Sequence, residues 1–365
     1  MESNIVIILA GLLISLLLFA HFPMLKKSTS CKTQFKVSII IPARNEEKSI
    51  ALLLQDLAKQ TYSVHEIICV DDCSGDRTAE VVRRYGNVKL ISVTEKPDGW
   101  TGKSWACYEG ARAARAELLL FLDADVRLMP DAVASLVNAY HERRCVISVL
   151  PYHTVEKGYE QLSFFFNIIQ VGANGIGTTF ASRHAGLCGP VILIPAKIYN
   201  EIGGHESVKS SIVDDIALGN NLAKHGYAYR LFMGKGLIHY RMYNGGIKDL
   251  VRGWTKNFAT GALKTPLPIF IMTFLWISAL ILTIFSVVEV IILKDIILAA
   301  FVFALYILWV LELNRISRKT GSFGIVTALC YPLYLLFFLL VFFRSFMKVA
   351  LRKNVTWKDR EIRLE

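Results

Sequence analysis

Short apolar runs alternate with helical patterns through the middle of the chain. Strand-like runs occupy 35–42, 66–70, 87–93 and 117–122, and the first of them is rich in β-branched residues. Apolar residues at helical spacing lie between them, at 46–60, 78–85 and 104–116. Strands separated by helices of this length predict right-handed β-α-β crossovers and an α/β, Rossmann-like, mostly parallel sheet. A sheet of this kind binds its ligand at the carboxyl ends of the strands.

A longer apolar run near the start of the chain predicts a transmembrane helix. The uncharged run 5–22 is close to the ~20 residues that cross a bilayer. Lysines follow it, at Lys26, Lys27, Lys32 and Lys36. The positive-inside bias therefore places the chain after this run in the cytoplasm. A cleaved signal peptide is the alternative, but the run has no basic region before it and no small-residue cleavage site.

The C-terminal third carries three more apolar runs, at 268–293, 296–311 and 325–343. Basic residues occur at 315–319 and again at 344–363, so three full crossings would put one basic stretch outside. Two spans and a hairpin fit this pattern best, with one run re-entrant or interfacial. A shorter aromatic-rich segment, 162–171, predicts a buried core helix or an interfacial helix, and we favour the interfacial helix.

These patterns divide the chain into four parts: an N-terminal transmembrane anchor (1–25), an α/β domain (33–265), a C-terminal hydrophobic, transmembrane region (266–345) and a basic tail (346–365). The net charge is +11. Because the basic residues cluster beside the apolar runs, this charge favours attraction to anionic lipid over nucleic-acid binding. We therefore expect a multi-pass protein of the cell membrane, with a cytoplasmic α/β domain and no nucleic-acid partner.

Acidic motifs follow two of the predicted strands. Asp71 and Asp72 come after the second strand, and Asp123 and Asp125 follow the apolar run that ends at Leu122. Carboxylate oxygens at the carboxyl ends of buried strands suit a hard divalent cation and a nucleotide ribose. This placement predicts a site for a nucleotide diphosphate.

Four ordered motifs resemble those of family 2 glycosyltransferases, at 37–47, 70–78, 121–125 and 213–218. The resemblance covers about residues 35 to 260 and implies the GT-A fold, inverting transfer from a sugar nucleotide and a divalent metal. Further motifs resemble the carotenoid-acid glycosyltransferases within that family, at 102–110, 148–153, 189–190, 203–205, 241–243 and 253–256. The part 33–265 is then a GT-A catalytic domain between N- and C-terminal transmembrane helices.

The resemblance assigns the acidic residues first. Asp123 and Asp125 are similar to the D-x-D pair, whose last carboxylate binds the metal that bridges the diphosphate. Mg²⁺ or Mn²⁺ suits such oxygen ligands. Asp215 matches the residue that activates the acceptor, and Asp214 precedes it where the family usually has glutamate. Both residues are also simply good first-turn residues of a helix.

Nucleotide contacts are implied at the other strand ends. The first strand-end loop contributes Pro42, Ala43, Arg44 and Glu46. Asp72 resembles the carboxylate that accepts from the uracil N3–H, whereas Asp71 is either a nucleotide contact or a turn or capping residue. Lys103, in a loop before a helix, offers a charge for phosphate. Arg44 and Lys103 also fit the alternative of exposed surface charges.

Three residues late in the domain are also assigned by the resemblance. Trp254 lies where processive members have Q-x-x-R-W, but the Gln and the aligned Arg are missing, which favours transfer of a single sugar. Arg241 and Lys256 are candidates to neutralise the departing diphosphate, or ordinary surface residues. His184, His205 and His239 are candidate ligands or structural residues.

The implied function is transfer of a hexose, glucose from UDP-glucose, to a lipid acceptor, the carboxylate of a C30 carotenoid acid. Other enzymes of carotenoid synthesis are candidate partners on the same grounds. The alternatives within the class are a polyprenyl phosphate, diacylglycerol or a sphingoid lipid as acceptor. A different class, a membrane transport or scaffold protein with a nucleotide-sensing domain, would not need Asp215.

Overall fold

The computed structural model describes residues 2–30, 33–178, 186–351, 355–357 and 360–362. The helices are α1 (Glu2–Leu18), α2 (Ile50–Ala58), α3 (Thr78–Arg83), α4 (Gly102–Ala113), α5 (Ala132–Arg143), α6 (Phe164–Asn174), α7 (Ala196–Glu201), α8 (Asp214–Lys224), α9 (Ile247–Leu263), α10 (Leu267–Leu293), α11 (Ile296–Thr320), α12 (Ile325–Leu329) and α13 (Tyr331–Ala350). Short 3₁₀ helices lie at Gly158–Ser163 and Gly204–Val208.

The strands are β1 (Val37–Ala43), β2 (Glu66–Asp72), β3 (Val88–Val93), β4 (Leu118–Leu122), β5 (Val126–Leu128), β6 (Val146–Leu150), β7 (Tyr152–His153), β8 (Val191–Pro195), β9 (Tyr229–Met233), β10 (Ile238–Tyr240), β11 (Val355–Trp357) and β12 (Arg360–Ile362). The chain forms two compact units. The sheet unit comprises Pro23–Tyr152, Gly186–Met242 and Leu351–Glu365. The helical unit comprises Met1–Phe22, His153–Ala185 and Tyr243–Ala350.

The sheet unit contains a mostly parallel sheet. Across the described residues its strands follow the order β3-β2-β1-β4-β8-β6-β9, and β8 runs antiparallel to both neighbours. The central strands are near-continuous apolar runs, as expected for strands covered on both faces. For example, Ile39, Ile40 and Ile41 of β1 are fully buried. The predicted α/β fold is therefore confirmed.

Two helices of the sheet unit begin at residues that differ from the sequence pattern. The chain turns at 46–49, where the Glu46 N–H donates to Thr78 Oγ1 (2.8 Å), so α2 begins only at Ile50. Lys103 lies in the first turn of α4 and not in the loop before it. Thr101 explains this difference, because its hydroxyl accepts from the Ser104 N–H (3.2 Å) and caps a helix that begins at Gly102, two residues earlier than predicted.

The helical unit holds the apolar helices. Within the described ranges, three helices are long and apolar enough to cross a membrane, namely α10, α11 and α13. The first apolar run forms α1, which ends at Leu18 and not at Phe22, and its 17 residues are shorter than those three helices. At 1.5 Å per residue α1 is about 25 Å long, slightly less than a typical hydrocarbon core.

The aromatic-rich segment forms α6, a buried core helix. Phe164, Phe165 and Phe166 are all fully buried, with Phe165 facing Trp276 of α10 and Phe338 of α13. The preference for an interfacial helix was therefore wrong. Composition alone does not distinguish the two cases, because a helix buried among other helices and a helix at a lipid surface can be equally rich in aromatic residues.

Candidate active site

The carboxyl ends of β1 and β2 lie side by side, because Ala43 pairs with Asp71 in the parallel register. Arg44 spans the two ends: its Nη1 donates to the carbonyl oxygens of Asp72 (2.6 Å) and Cys73 (3.1 Å). The same nitrogen lies 4.0 Å from Asp72 Oδ2. Arg44 is therefore not an isolated surface charge, and it helps to shape the edge where Pro42 and Ala43 end β1.

Hydrogen bonds also fix the loops that follow these strands. The Asn45 N–H donates to Ser74 Oγ (2.9 Å), and the Gly75 N–H donates to Asn45 Oδ1 (2.8 Å). Asn45 and Cys73 both adopt positive φ, 52° and 51°, which is uncommon for residues other than glycine. Glu46 follows in the same fixed loop. This rigidity suits a binding edge, because little conformational entropy is lost when a ligand arrives.

The two carboxylates at the end of β2 have different surroundings. Asp71 and Asp72 are 6% and 3% exposed. Asp72 lies beside the Arg44 guanidinium. Asp71 Oδ1, in contrast, has no hydrogen-bond partner among the described residues. A buried acceptor without a donor costs about 1–3 kcal/mol, so Asp71 is an acceptor suited to a donor from a ligand.

The D-x-D motif lies in the turn between β4 and β5. Asp123 and Asp125 are both partly exposed, whereas Ala124 between them is 3% exposed and packs in the core. The two carboxylates thus lie on the accessible side of the turn. Lys103 Nζ lies 2.7 Å from Asp123 Oδ1, which links the first turn of α4 to this motif.

Lys103 carries a stabilised positive charge. Burial alone would lower its pKa, but the negative charges of Asp123 and Asp214 more than offset this and hold the pKa well above the ordinary lysine value. Lys103 therefore stays protonated at neutral pH. It is a fixed cation between two acidic motifs that are far apart in the sequence.

Asp215 lies in the first turn of α8, as the apolar spacing of that segment predicts, and both of its carboxylate oxygens are bonded. Oδ1 accepts from the Ile216 N–H (2.8 Å), and Oδ2 accepts from the Gly189 N–H (2.9 Å). Burial raises the Asp215 pKa to about 6, with a further contribution from the charge of Asp214. Lys103 and the two amides oppose that rise.

The segment Gly189-Pro190 connects Asp215 to the D-x-D motif. Pro190 O accepts from the Asp123 N–H (3.0 Å), one residue after the Gly189 N–H that binds Asp215. A Cβ on Gly189 would lie only 2.8 Å from Asp215 Oδ2, so only glycine allows this approach. The sequence showed this pair as a motif without a role. Its role became visible only when the chain brought 123, 189 and 215 together.

Asp214 faces a buried histidine. His205 Nε2 lies 3.8 Å from Asp214 Oδ2, and His205 Nδ1 lies 2.9 Å from the Tyr199 hydroxyl. That hydroxyl oxygen also accepts from the His205 backbone N–H (3.1 Å). Burial lowers the His205 pKa to about 4, although Asp214 opposes this. The ring is therefore neutral at pH 7.

The other predicted residues are spread over both units. Arg241 directly follows β10 in the sheet unit, whereas Trp254 and Lys256 lie on α9 in the helical unit. Trp254 is 4% exposed; its indole N–H donates to Ser163 Oγ (3.1 Å), and its ring stacks on Phe166 at 4.7 Å. These are the contacts of a packing residue. His184 lies outside the described residues.

His239 and Tyr199 also lie in the sheet unit. His239 Nε2 is buried without a hydrogen-bond partner among the described residues, and burial lowers the His239 pKa. Tyr199 was not anticipated from the sequence at all. Tyrosine is common in apolar runs, and only its proximity to His205 distinguishes it.

The donor set fits a hard divalent cation held jointly with a substrate. In the part of the chain that the structure describes, no three His, Cys, Asp or Glu side chains form a metal cluster. Asp123 and Asp125 supply carboxylates on one accessible turn. Mg²⁺ and Mn²⁺ sites commonly use one or two carboxylates and complete their shell with phosphate oxygens and water. The residues therefore fit a metal–diphosphate complex.

Comparison with known proteins decides the family. The model of glycosyl transferase family 2 matches residues 38–188. The 4,4'-diaponeurosporenoate glycosyltransferase of Staphylococcus haemolyticus is 34% identical over 346 residues, which is 93% of this chain and 92% of that protein. The chain belongs to glycosyltransferase family 2. It is therefore a glycosyltransferase, and a transport or scaffold protein is no longer an alternative.

Two further comparisons extend this result. The enzyme of the same name from Staphylococcus aureus is 33% identical over 364 residues, 98% of this chain and 96% of that protein. Among solved structures, the mannosyltransferase PcManGT from Pyrobaculum calidifontis, in complex with GDP-Man and Mn²⁺, is similar with a TM-score of 0.55 and 17% identity. That similarity covers 93% of this chain and 96% of the other, and it confirms the predicted GT-A fold of this family 2 member.

Proposed function

We propose that this enzyme transfers a hexose, glucose from UDP-glucose, with inversion to the carboxylate of a C30 carotenoid acid, and that the product is a glycosyl ester. The observation that carries the proposal is the similarity to relatives named 4,4'-diaponeurosporenoate glycosyltransferase, at 33–34% identity over more than nine-tenths of both chains. A match of that extent includes the apolar helices as well as the sheet unit. It therefore supports a shared acceptor class and not only a shared fold.

The donor would occupy the carboxyl ends of β1, β2 and β4. Asp71 offers its unpartnered Oδ1 to a donor on the base or the ribose, and Arg44 holds the adjacent edge. Asp123 and Asp125 would hold Mg²⁺ or Mn²⁺ against the diphosphate. When bound, the metal would neutralise charge that builds up on the departing UDP. Lys103, fixed beside Asp123, provides a permanent positive charge at the same place.

The unpaired oxygen of Asp71 changes one assignment within this site. The sequence resemblance favoured Asp72 for the base contact, but Asp72 already lies beside Arg44. We assign Asp71 the direct contact with the nucleoside and Asp72 the support of Arg44. Both residues remain part of the proposed nucleotide site.

Transfer is a single in-line displacement at the anomeric carbon. An acceptor carboxylate oxygen forms the new bond to that carbon while its bond to the UDP oxygen breaks, and UDP departs with the electron pair. A carboxylic acid with a pKa of about 4 is already ionised at neutral pH, so no base must remove its proton. Asp215 then orients the acceptor, held by its two amide hydrogen bonds. Asp214 keeps Lys103 and His205 in place around it.

Three assignments rest on the family resemblance alone. Arg241 and Lys256 would assist the departing diphosphate, and Trp254 would contribute to the nucleotide site. The linear division into 1–25, 33–265, 266–345 and 346–365 is likewise a proposal. We also propose that the enzyme is bound to the cell membrane with its sheet unit in the cytoplasm, where UDP-sugars are made. The apolar helices α10, α11 and α13 support membrane binding.

The proposal can be tested in cells that make a C30 carotenoid acid but lack its glycosyl ester. Mass spectrometry of extracted lipids should show a new species heavier by one hexose when the gene is expressed. The Asp125→Ala variant, expressed at the same level in the membrane fraction, should give no such species. A hexose added instead to a polyprenyl phosphate, diacylglycerol or a sphingoid lipid would refute the acceptor, and activity of the purified enzyme in EDTA would refute the metal.

A further inference from the structure

The path of the chain after α11 determines how many times the C-terminal helices cross the bilayer. Length and composition make α13 a candidate for a third C-terminal crossing. Three crossings, however, would place the basic residues at 315–319 and those from Arg344 onward on opposite sides of the membrane. Contacts inside the helical unit show where each part of this segment lies along α10 and α11.

The pair α10 and α11 defines the two membrane faces. They are joined by Lys294 and Asp295 alone and pack along each other, with Trp276 and Trp309 at a ring distance of 6.1 Å. Such a short connection makes them antiparallel, so the start of α10 and the end of α11 lie at one face. We call it the proximal face. The end of α1 lies there too, because Arg315 Nη2 donates to Phe19 O (3.1 Å).

After α11 the chain turns back along the bundle. At the proximal face the Ser322 N–H donates to His153 O (2.9 Å). Next, Thr327 Oγ1 in α12 donates to Gln161 Oε1 (2.7 Å). Then Leu329 O accepts from the hydroxyl of Tyr306. Tyr306 lies well inside α11, about 20 Å along the helix from its proximal end at Thr320.

The start of α13 marks the deepest point. The ring of Tyr331 stacks on that of Tyr306 at 5.1 Å, and its hydroxyl donates to Leu280 O (3.4 Å). Leu280 lies about 20 Å along α10 from its proximal start at Leu267. Two independent helices thus place residues 329–331 at the same depth, roughly halfway along the 27-residue α10.

From this point α13 returns to the face from which α12 departed. Phe338 contacts Phe165 and Phe166 of α6, at ring distances of 6.5 Å and 5.1 Å. Further along, Ser345 Oγ donates to Thr255 O (2.7 Å) on α9, the helix that immediately precedes α10. From Tyr331 to Ser345 the helix rises about 21 Å, which matches the depth of its starting point.

We propose that α12 and α13 form a re-entrant hairpin that enters the bilayer from the proximal face, reaches its middle at 329–331 and returns to the same face. A stripe of large apolar side chains covers its outer side and is 47–67% exposed in the isolated chain: Val326, Leu329, Leu333, Leu336, Leu340 and Phe343. This stripe contacts the acyl chains of one leaflet. Exposed apolar patches of this size need such a partner.

The hairpin removes the conflict between three C-terminal crossings and the two basic stretches of the sequence. With α10 and α11 as the full C-terminal crossings, 315–319 and the residues from Arg344 onward share the proximal face. Both basic stretches then obey the positive-inside rule. At the break between α12 and α13 the Tyr306 hydroxyl donates to Leu329 O, and the buried Tyr331 hydroxyl donates to Leu280 O, so these polar groups have partners inside the bundle.

Labelling from each side of the membrane tests the hairpin. In a variant with the native cysteines replaced and activity retained, single cysteines at Asp295 and Ser322 are exposed to an impermeant maleimide in sealed vesicles of known orientation. A protease-removable tag after Glu365 reports the side of the C-terminus. The hairpin requires Ser322→Cys and the tag on one side and Asp295→Cys on the other. A tag on the side opposite to Ser322→Cys overturns it.

A depth measurement separates the hairpin from a helix that lies on the surface. Nitroxide labels are placed at Val326, Cys330, Leu336, Leu340 and Met347 in the same full-length protein in lipid bilayers. Relative access to oxygen and to a polar nickel complex then gives the depth of each label. The hairpin predicts the greatest depth at Cys330 and a steady decrease toward Val326 and Met347. A maximum at Leu340 would mean a full crossing, and uniformly shallow labels would mean a surface helix; either contradicts the proposal.

Discussion

At the scale of single residues, the acidic site depends on one close backbone approach. The Gly189 N–H holds Asp215 Oδ2 at 2.9 Å, while the next carbonyl holds the backbone of Asp123. Lys103 forms an ion pair with Asp123 and is also stabilised by the negative charge of Asp214. Positions from four separate stretches of sequence are thereby fixed relative to each other, which an orientation-dependent displacement requires.

Replacing Gly189 by alanine should lower kcat without unfolding the protein. The new Cβ would lie 2.8 Å from Asp215 Oδ2 and displace that carboxylate. A shift of about 1 Å can lower kcat about 100-fold. We expect this loss in kcat with little change in the KM for UDP-glucose. Gly86→Ala is the matched control, because no atom lies within 4 Å of its Cβ position. Wild-type kcat in Gly189→Ala would show that the position of Asp215 is unimportant.

The Asp215→Asn variant distinguishes orientation from proton removal. The Asp215 pKa is raised to about 6, so the wild-type carboxylate loses its charge as the pH falls through 6, and activity should fall with it. Asparagine does not titrate, so the rate of the variant should be nearly flat from about pH 6 to 8. With a carboxylate acceptor its loss should be smaller than the ~10²–10⁴-fold typical of a missing general base.

The wild-type enzyme and the Asp215→Asn variant are to be compared at saturating UDP-glucose, after the binding of UDP-glucose to each has been measured by calorimetry. The opposite pattern is a full general-base loss in Asp215→Asn that only higher pH restores. That pattern would indicate a hydroxyl acceptor, whose proton must be removed during attack.

At the scale of elements, the sequence predicted the first part of the sheet unit, from β1 to β4. The runs that became β1 to β4 and α2 to α4 are local patterns, and their ends shifted by only a few residues. The carboxyl-end placement of Asp71, Asp72, Asp123 and Asp125 followed from the parallel sheet. Contacts across distant loops could not be predicted, because nothing local to Gly189 or Tyr199 shows which side chain each will meet.

Helix α9 offers a test of an element-level assignment. Trp254 is buried against Phe166 and Ser163, so we expect Trp254→Ala to destabilise the helical unit by about 3–5 kcal/mol, as usual for a large core aromatic. Thermal unfolding in detergent measures this. Trp254→Phe, which keeps the stacked ring and loses only the N–H donor, should lose much less. A raised KM for UDP-glucose in Trp254→Phe with an unchanged melting temperature would instead support the nucleotide-binding role.

At the scale of the whole molecule, the domains predicted from the sequence are continuous stretches, whereas each compact unit of the structure combines separate stretches of the chain. Segments 153–178 and 243–265 lie within the predicted catalytic range, yet they pack with α1 and the C-terminal helices in the helical unit. Hydropathy could not assign α6 to the helical unit. This helix is as apolar as a membrane segment, but it is too short to cross a bilayer and was therefore not grouped with the membrane helices. The basic stretches predicted that one C-terminal run is re-entrant or interfacial, but hydropathy gives length and not direction and could not show which run that is.

The central claim is glycosyl transfer to a carboxylate. The most direct measurement uses the purified full-length enzyme in lipid nanodiscs with UDP-glucose, Mn²⁺ and one of two acceptors, the C30 carotenoid acid or the alcohol of the same chain. Chromatography with mass spectrometry identifies the product, and mild alkali distinguishes an ester from an ether-linked glycoside. We predict a glucosyl product from the acid that alkali cleaves, and little product from the alcohol. Efficient transfer to the alcohol, with none to the acid, would contradict the account.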